Sequence, residues 1–430
     1  MNRPSSKHLL FATLLLLVAI SPFIELRAID HFIPARWSDS YSPWYGAKVA
    51  LQGVNPYSDQ VTRDIQKWFY GHTLDPVHPE FDLQAFVYPA TAIPLFAVST
   101  LLPWKTLRLL FFAVAPLLVF LSCFYWVTWS GVARNRTTQL GVAVLATASV
   151  PSFWGIHLMQ PTVIIFAGVA AVMALLSFNR YAWAGALLGC LSIKPNLVAL
   201  LTLWLLIVMV RQRRWRFIVS FGVVFTTLSA IAEWLVPAWP WKWYHAAINY
   251  THHKLPIFGF VFGHYSEVVT LAAGVLLLIA LYKVGFPHPR SRQFGLAVSM
   301  ILAYTVCVIP SGPWMVYNQI FLIPPILFLA SITGSSAVAP IMRTVALGFA
   351  WLTILSVPIC AALLLLRPPS EFSIRFPFSN YLLPISVLIA VLLFSWDNLD
   401  PRTPATPPAA RSSDQPPPPS VKEASTPATP

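Results

Sequence analysis

Residues 109–131 read LLFFAVAPLLVFLSCFYWVTWSG, a stretch without a single charge bracketed by Arg108 and Arg134. As an α-helix rising 1.5 Å per residue it reaches about 34 Å, enough to cross the roughly 30 Å hydrocarbon layer of a bilayer. Similar, nearly charge-free runs recur near 9–24, 138–156, 161–179, 181–193, 196–210, 217–235, 266–282, 294–310, 314–332, 344–366 and 379–396. In lipid every backbone N–H and C=O has to be satisfied within the segment or a closed barrel, and no run alternates at period two as a barrel strand would. The expected fold class is an all-α polytopic membrane protein with about twelve transmembrane helices.

Composition agrees. The chain is 57% hydrophobic and only 10% charged, against roughly 25% charge in a soluble domain, which excludes a water-soluble fold. The net charge of +13 is scattered through short loops rather than gathered on one face, so it reads as membrane orientation and not as a nucleic-acid surface. Cys123, Cys190, Cys307 and Cys360 all sit in apolar runs, which points to neither a disulfide framework nor a zinc site. Residues 9–24 follow Arg3 and Lys7 like a signal-peptide core. The next residues, Ile24-Glu25-Leu26-Arg27, lack a small-residue cleavage site, so a retained first helix is expected. Residues 401–430 hold ten of the 39 prolines; a membrane domain over 1–396 followed by a Pro-rich, disordered cytoplasmic tail over 397–430 is expected.

Orientation turns on residues 86–102, an apolar segment with prolines at 89, 94 and 103. Counting it as a span puts the arginines at 211, 213, 214 and 216 outside, against the positive-inside rule. Laid along the outer surface, it leaves those arginines inside together with Arg136, Arg180, Lys283 and Arg343. A large first outer loop, 25–106, with juxtamembrane helices then results, and a second outer loop at 237–264. The first loop carries eight of the 15 acidic residues: Glu25, Asp30, Asp39, Asp59, Asp64, Asp75, Glu80 and Asp82. The tryptophans at 239, 241 and 243 fit an aromatic interface belt.

Several short motifs lie at the outer ends of the helices. Asp39 precedes an aromatic stretch with Tyr41 and Tyr45; Gly53-Val54-Asn55-Pro56-Tyr57 marks a turn. Farther on come Tyr88-Pro89, His157-Leu158-Met159-Gln160-Pro161, Ala184-Gly185 with Gly189, and Lys194-Pro195 ahead of the arginine-rich inner loop. In this order and spacing they resemble the bacterial polyprenyl-phosphate-mannose-dependent mannosyltransferases, glycosyltransferase family 87 of the GT-C superfamily. The resemblance covers about residues 9–216, and the remainder by helix count. Two departures stand out: the family often has Gly-Gln-x-Asn where this chain has Met159-Gln160-Pro161-Thr162, and the first loop here is long.

The resemblance implies a GT-C-like catalytic domain in the bacterial cytoplasmic membrane, with its active site facing outward. It implies transfer of a hexose, mannose by analogy, from a polyprenyl-phosphate-linked donor to a glycan or glycolipid acceptor, with inversion and without a metal or other cofactor. Such transfer needs a base for the acceptor hydroxyl and a cation or donors for the departing phosphate. Asp39 is the candidate base and Lys194 the candidate phosphate ligand. Each has a plainer alternative, a helix cap for Asp39 and a snorkelling helix-end lysine for Lys194, although an ionisable residue at a membrane-helix break is a functional candidate by default. Tyr41, Tyr45, Tyr57 and Tyr88 are substrate-binding candidates. So are His157 and Gln160, whose plainer alternative is to satisfy nearby backbone groups. His252 and His253 are candidates for a phosphate or sugar, or a solvated turn. Asn318 is one for a sugar hydroxyl, or for helix packing.

Two other classes fit a polytopic chain. A transporter predicts internal repeats and intramembrane acids, and neither pattern is present beyond Glu233 and Glu267 near span ends. A lipid-linked polysaccharide ligase or polymerase carries its large loop later in the chain.

Overall fold

The computed structural model of the protein describes residues 38–74, 83–133, 135–251, 255–310, 315–332 and 379–398. The expected spans at 9–24 and 344–366, the tail beyond residue 398, and His252 and His253 lie outside the described residues. Among those described the chain is helical, with one isolated bridge between Pro256 and Pro310 and no strand.

The first two described helices are α1 (Tyr41–Ala50) and α2 (Asp59–Tyr70), both within the segment expected as the first outer loop. Helix α2 begins where the Ser58 side chain accepts from the Val61 N–H, and it ends at Gly71, whose φ of 83° is the left-handed stop that glycine adopts without strain. The segment expected at the surface is helical over Ala90–Leu101, with a short α3 (Ile93–Ala97) between two 3-10 turns. At 1.5 Å per residue it covers roughly 18 Å, well under the hydrocarbon thickness. The bundle follows: α4 (Trp104–Ser130), α5 (Arg136–Thr147), α6 (Val150–His157), α7 (Pro161–Ser177), α8 (Tyr181–Leu191), α9 (Pro195–Arg211), α10 (Trp215–Leu235), α11 (Trp239–Thr251), α12 (Ile257–Phe262), α13 (Ser266–Val284), α14 (Arg292–Val308), α15 (Ile323–Ile332) and α16 (Ser379–Asn398).

Every apolar run expected to span, where described, coincides with helix. Their lengths differ from the expectation. Among the described residues three stretches are long and apolar enough to cross alone: Trp104–Ser130, Trp215–Leu235 and Ile257–Val284. Helices α5 and α6, bent by 55° to each other, make a fourth if taken as one broken span. The other apolar helices are 10–17 residues long, because prolines and polar residues such as Gln160-Pro161 and Lys194-Pro195 start new helices where the hydropathy pattern is nearly continuous. Lipid-facing character is plain on α10 and α13, where Trp234 is 81% and Leu271 70% exposed, a surface that water would not tolerate at this extent.

Packing explains the Ala184-Gly185-x-x-x-Gly189 motif. Helix α8 lies closely against α10, and a Cβ on Gly185 would run into the Phe217 carbonyl. On Gly189 a Cβ would come within 3.0 Å of Val224 and 3.3 Å of the Phe221 carbonyl. Small residues let two backbones approach in this way. Gly222, also in α10, has open space for at least 4 Å around the place a methyl would take. Gly185→Ala is expected to lower stability in detergent by about 1–3 kcal/mol, since backbone cannot move aside as a side chain would. Gly222→Ala should be neutral or stabilising by up to about 1 kcal/mol through helix propensity. Thermal unfolding of the two variants checks the pair; equal midpoints would contradict the packing.

A second, smaller apolar cluster builds a cap on the bundle. Tyr41, Trp44, Ala47 and Ala50 of α1, Val61 and Ile65 of α2, and Phe86, Ala90 and Ile93 meet Ala232 and Val236 at the end of α10. Gly46 is required here because a Cβ would collide with the Phe86 ring. The cap is tied to α11 through Trp243, whose indole N–H donates to the Val87 carbonyl at 3.1 Å.

Candidate functional site

The cap places Asp39 against the junction between two bundle helices, α6 and α7. Its backbone N–H donates to the Leu158 carbonyl at 2.9 Å. The Ser40 hydroxyl donates to the Met159 carbonyl, and the Gln160 amide Nε2 donates to Asp39 Oδ2. Three consecutive residues thus hold two consecutive residues of the loop. The 158–160 turn is able to do so because Met159 sits at φ 50°, in the left-handed region that a non-glycine residue seldom adopts. A methionine here holds that backbone shape at some conformational cost.

From Gln160 the polar chain continues. Its Oε1 accepts from Lys194 Nζ at 3.3 Å, and Lys194 Nζ also donates to Thr162 Oγ1 at 2.6 Å. Thr162 Oγ1 donates in turn to Asn318 Oδ1 at 3.2 Å. Lys194 lies over the Tyr317 ring, 5.4 Å from its centroid. Gln160 and Lys194 each occupy the position just before the proline that starts a helix, α7 and α9 respectively. The free N–H groups and positive dipole ends of two helices therefore adjoin one carboxylate and one ammonium. Gln160, Thr162 and Asn318 are 3%, 0% and 3% exposed, so the neutral members of the network are shielded from bulk solvent, a setting in which such bonds are strongest and most costly to break. Asp39 and Lys194 are half-buried.

The remaining sequence candidates fall into three groups. Tyr88 lies beside Asp39: burial, and next the Asp39 charge, push its phenol up. The Tyr57 hydroxyl donates to the Tyr88 carbonyl at 2.7 Å and burial likewise raises its phenol, so Tyr57 braces the backbone at Tyr88. Tyr41 and Tyr45 are on α1, one turn past Asp39, in a stack with Trp68: the Tyr41 and Trp68 rings are 3.5 Å apart and nearly parallel, and Tyr41 and Tyr45 5.7 Å apart. Burial, followed by Tyr45 and Asp64, raises the Tyr41 phenol to about 12. His157 is buried in α6, its ring parallel to Phe153 with centroids 5.6 Å apart, and its Nδ1 has no hydrogen-bond partner among the described residues. The structure thus brings Asp39, Gln160, Lys194 and Asn318 into one network with Tyr88 alongside. It sets Tyr41, Tyr45 and Tyr57 in the cap and His157 in the helix behind.

Residues not singled out by sequence include Ser40, Thr162 and Trp68. Thr162 had a signal, as it holds the Asn place of the Gly-Gln-x-Asn motif. Trp68, half-buried on α2, is one of three consecutive aromatics, and nothing in the sequence separates it from Phe69 and Tyr70. No group of three or more His, Cys, Asp or Glu able to hold a metal occurs among the described residues.

A family model matches this chain over residues 86–319, more than half of its length; its description is glycosyltransferase family 87. No curated protein and no solved structure matches. The matched region contains Gln160, Thr162, Lys194 and Asn318, whereas Asp39 precedes it.

Proposed function

Because the chain belongs to glycosyltransferase family 87 and is a membrane glycosyltransferase, we propose that it moves a hexose, mannose, from a polyprenyl-phosphate donor to an extracytoplasmic glycan or glycolipid acceptor. The observation that carries this reading is the hydrogen-bonded chain from Asp39 through Gln160 to Lys194. It joins a carboxylate to an ammonium at the ends of two membrane helices.

The reaction balances with these two groups. The Asp39 carboxylate accepts the proton of the acceptor hydroxyl as that oxygen bonds to the anomeric carbon. On the opposite face the bond from the anomeric carbon to the phosphate oxygen breaks, and its electron pair leaves with the polyprenyl phosphate. Lys194, with the N-termini of α7 and α9 near it, stabilises the negative charge that develops there. A single displacement inverts the anomeric centre, and neither role requires a metal. Asn318 and the cap tyrosines Tyr41 and Tyr45 contribute further contacts to substrate, and Tyr57 braces Tyr88 beside them.

We place this site on the outer side of a bacterial cytoplasmic membrane. Helix α9 starts beside Lys194 and runs 17 residues to Arg211, about 25 Å, so the arginine-rich loop is at the other end of the helix from the site. Positive residues favour the cytoplasmic side. The twelve-span layout, with both termini inside, belongs to the same proposal.

The test is to incubate the purified protein in lipid nanodiscs with polyprenyl-phosphate-linked sugars and membrane extract, and to identify the product by mass spectrometry. An acceptor heavier by one hexose, made from the polyprenyl-phosphate mannose donor, is expected. Transfer only from nucleotide sugars would overturn the donor assignment.

A further inference from the structure

Gln160 stands between the two groups to which the reaction gives opposite tasks. An amide has a carbonyl that only accepts and an NH2 that only donates. An ionised carboxylate only accepts and an ammonium only donates. Between Asp39 and Lys194 the amide therefore has one orientation that satisfies both neighbours, with Nε2 toward Asp39 Oδ2 and Oε1 toward Lys194 Nζ. The backbone of Gln160 is itself fixed, because its N–H donates to the Gly155 carbonyl at 2.8 Å and its carbonyl accepts from Val163 at 3.0 Å. At 3% exposure the side chain has little solvent to turn into.

We propose that Gln160 is a positioning residue, a connector that fixes the Asp39 carboxylate relative to the Lys194 ammonium and keeps Asp39 ionised for proton abstraction. This rests on the reading of Asp39 as base and Lys194 as phosphate ligand, and goes beyond a role as substrate ligand. A hydrogen bond donated to a carboxylate favours its charged form, so losing the Nε2 donor makes Asp39 easier to protonate. The base also loses the contact that aims it, which lowers turnover more than binding. Lys194 keeps its bond to Thr162, so capture of the donor phosphate is largely retained.

Among the described residues, titratable groups set against Asp39 include Lys194, reached through Gln160 from the α8–α9 break, and the Tyr88 phenol from the segment before α3. Tyr88 is neutral across the working range, its phenol being raised by burial. Neither reproduces the effect of removing the amide.

Two variants make the test. Gln160→Leu keeps approximate volume and removes both bonds. Gln160→Glu keeps the acceptor toward Lys194 but sets a second carboxylate against Asp39. The transfer rate is measured from pH 5 to 9 in nanodiscs, together with direct binding of the unglycosylated polyprenyl phosphate. In Gln160→Leu the acidic limb of the kcat profile should move up by about one pH unit, since the donor to the charged form is gone. Plateau turnover should fall roughly tenfold to a hundredfold, with phosphate affinity changed less than about threefold. In Gln160→Glu the limb should move up farther, because like charges oppose ionisation, so that part of the activity lost at pH 6 returns at pH 8. A folded Gln160→Glu protein with the wild-type limb overturns the connector role, as does a loss that appears wholly in acceptor KM. If Gln160→Leu fails to fold, the Gln160→Glu profile decides alone. An Asp39→Asn control separates the two levels: an inactive control with an unmoved Gln160→Glu limb removes only the connector, whereas an active control removes the base assignment and this inference with it.

Discussion

Asp39→Asn should fold as the wild type does and lose turnover by a factor on the order of 10² to 10⁴. The fold is held because the interactions that seat this residue survive the change. Its backbone N–H still reaches the Leu158 carbonyl, Ser40 still bonds Met159, and the Asn amide can present its oxygen to the Gln160 Nε2 that now meets Asp39 Oδ2. What an amide cannot do is take a proton from the acceptor hydroxyl. The loss should therefore lie in kcat, with binding of the polyprenyl-phosphate donor close to normal, because Lys194 is untouched. Single-turnover transfer with pre-bound donor measures it. A folded Asp39→Asn protein with near-normal turnover would remove Asp39 as the base. The next carboxylates to test would be Asp30 and Asp82, which lie outside the described residues, followed by Asp64 in the aromatic cap.

The membrane helices were legible because hydropathy is a property of single residues summed along the chain, and α4, α10 and α13 satisfy it without help from tertiary contacts. The breaks within 161–210 were legible too, at Asn179-Arg180 and at Lys194-Pro195, where polar residues and a proline interrupt the apolar run. Lys194 stood out because an isolated charge in an apolar run is conspicuous, whereas Asp39, one of eight acids in its loop, was singled out by the family resemblance. What holds them together did not stand out. The carbonyls of Leu158 and Met159 grip the loop at 39 and 40, and a backbone acceptor has no residue signature. The left-handed turn at Met159 is hidden for the same reason: glycine would have announced it, and methionine does not. Gln160 could be read as a polar residue near a ligand, but its two-sided contact spans 121 residues on one side and 34 on the other, and spacing in sequence says nothing of that.

Lys194→Met should weaken donor binding by about 10- to 100-fold, the range expected when a charge-assisted hydrogen bond worth about 1.5–3 kcal/mol is lost. Methionine has nearly the length and apolar stem of lysine, and its sulfur can rest over the Tyr317 ring, where the ammonium now lies at 5.4 Å. Thr162 keeps its bond to Asn318, and the start of α9 is set by Pro195, so the helix itself has no reason to move. The loss should follow the phosphate and not the sugar: binding of unglycosylated polyprenyl phosphate falls as far as binding of the full donor. Turnover should fall beyond the binding loss, because the departing phosphate carries more negative charge than the bound diester and Lys194 is the nearest fixed cation in the network. Raising the donor concentration would then restore saturation without restoring kcat. Lys194→Arg keeps the charge on a longer, planar head and should recover part of the affinity but less of the turnover, since the compact ammonium now fits between Gln160 Oε1 and Thr162 Oγ1. Unchanged polyprenyl-phosphate affinity in a folded Lys194→Met protein would remove Lys194 from the donor site and return it to the role of a helix-end lysine bonded to its neighbours.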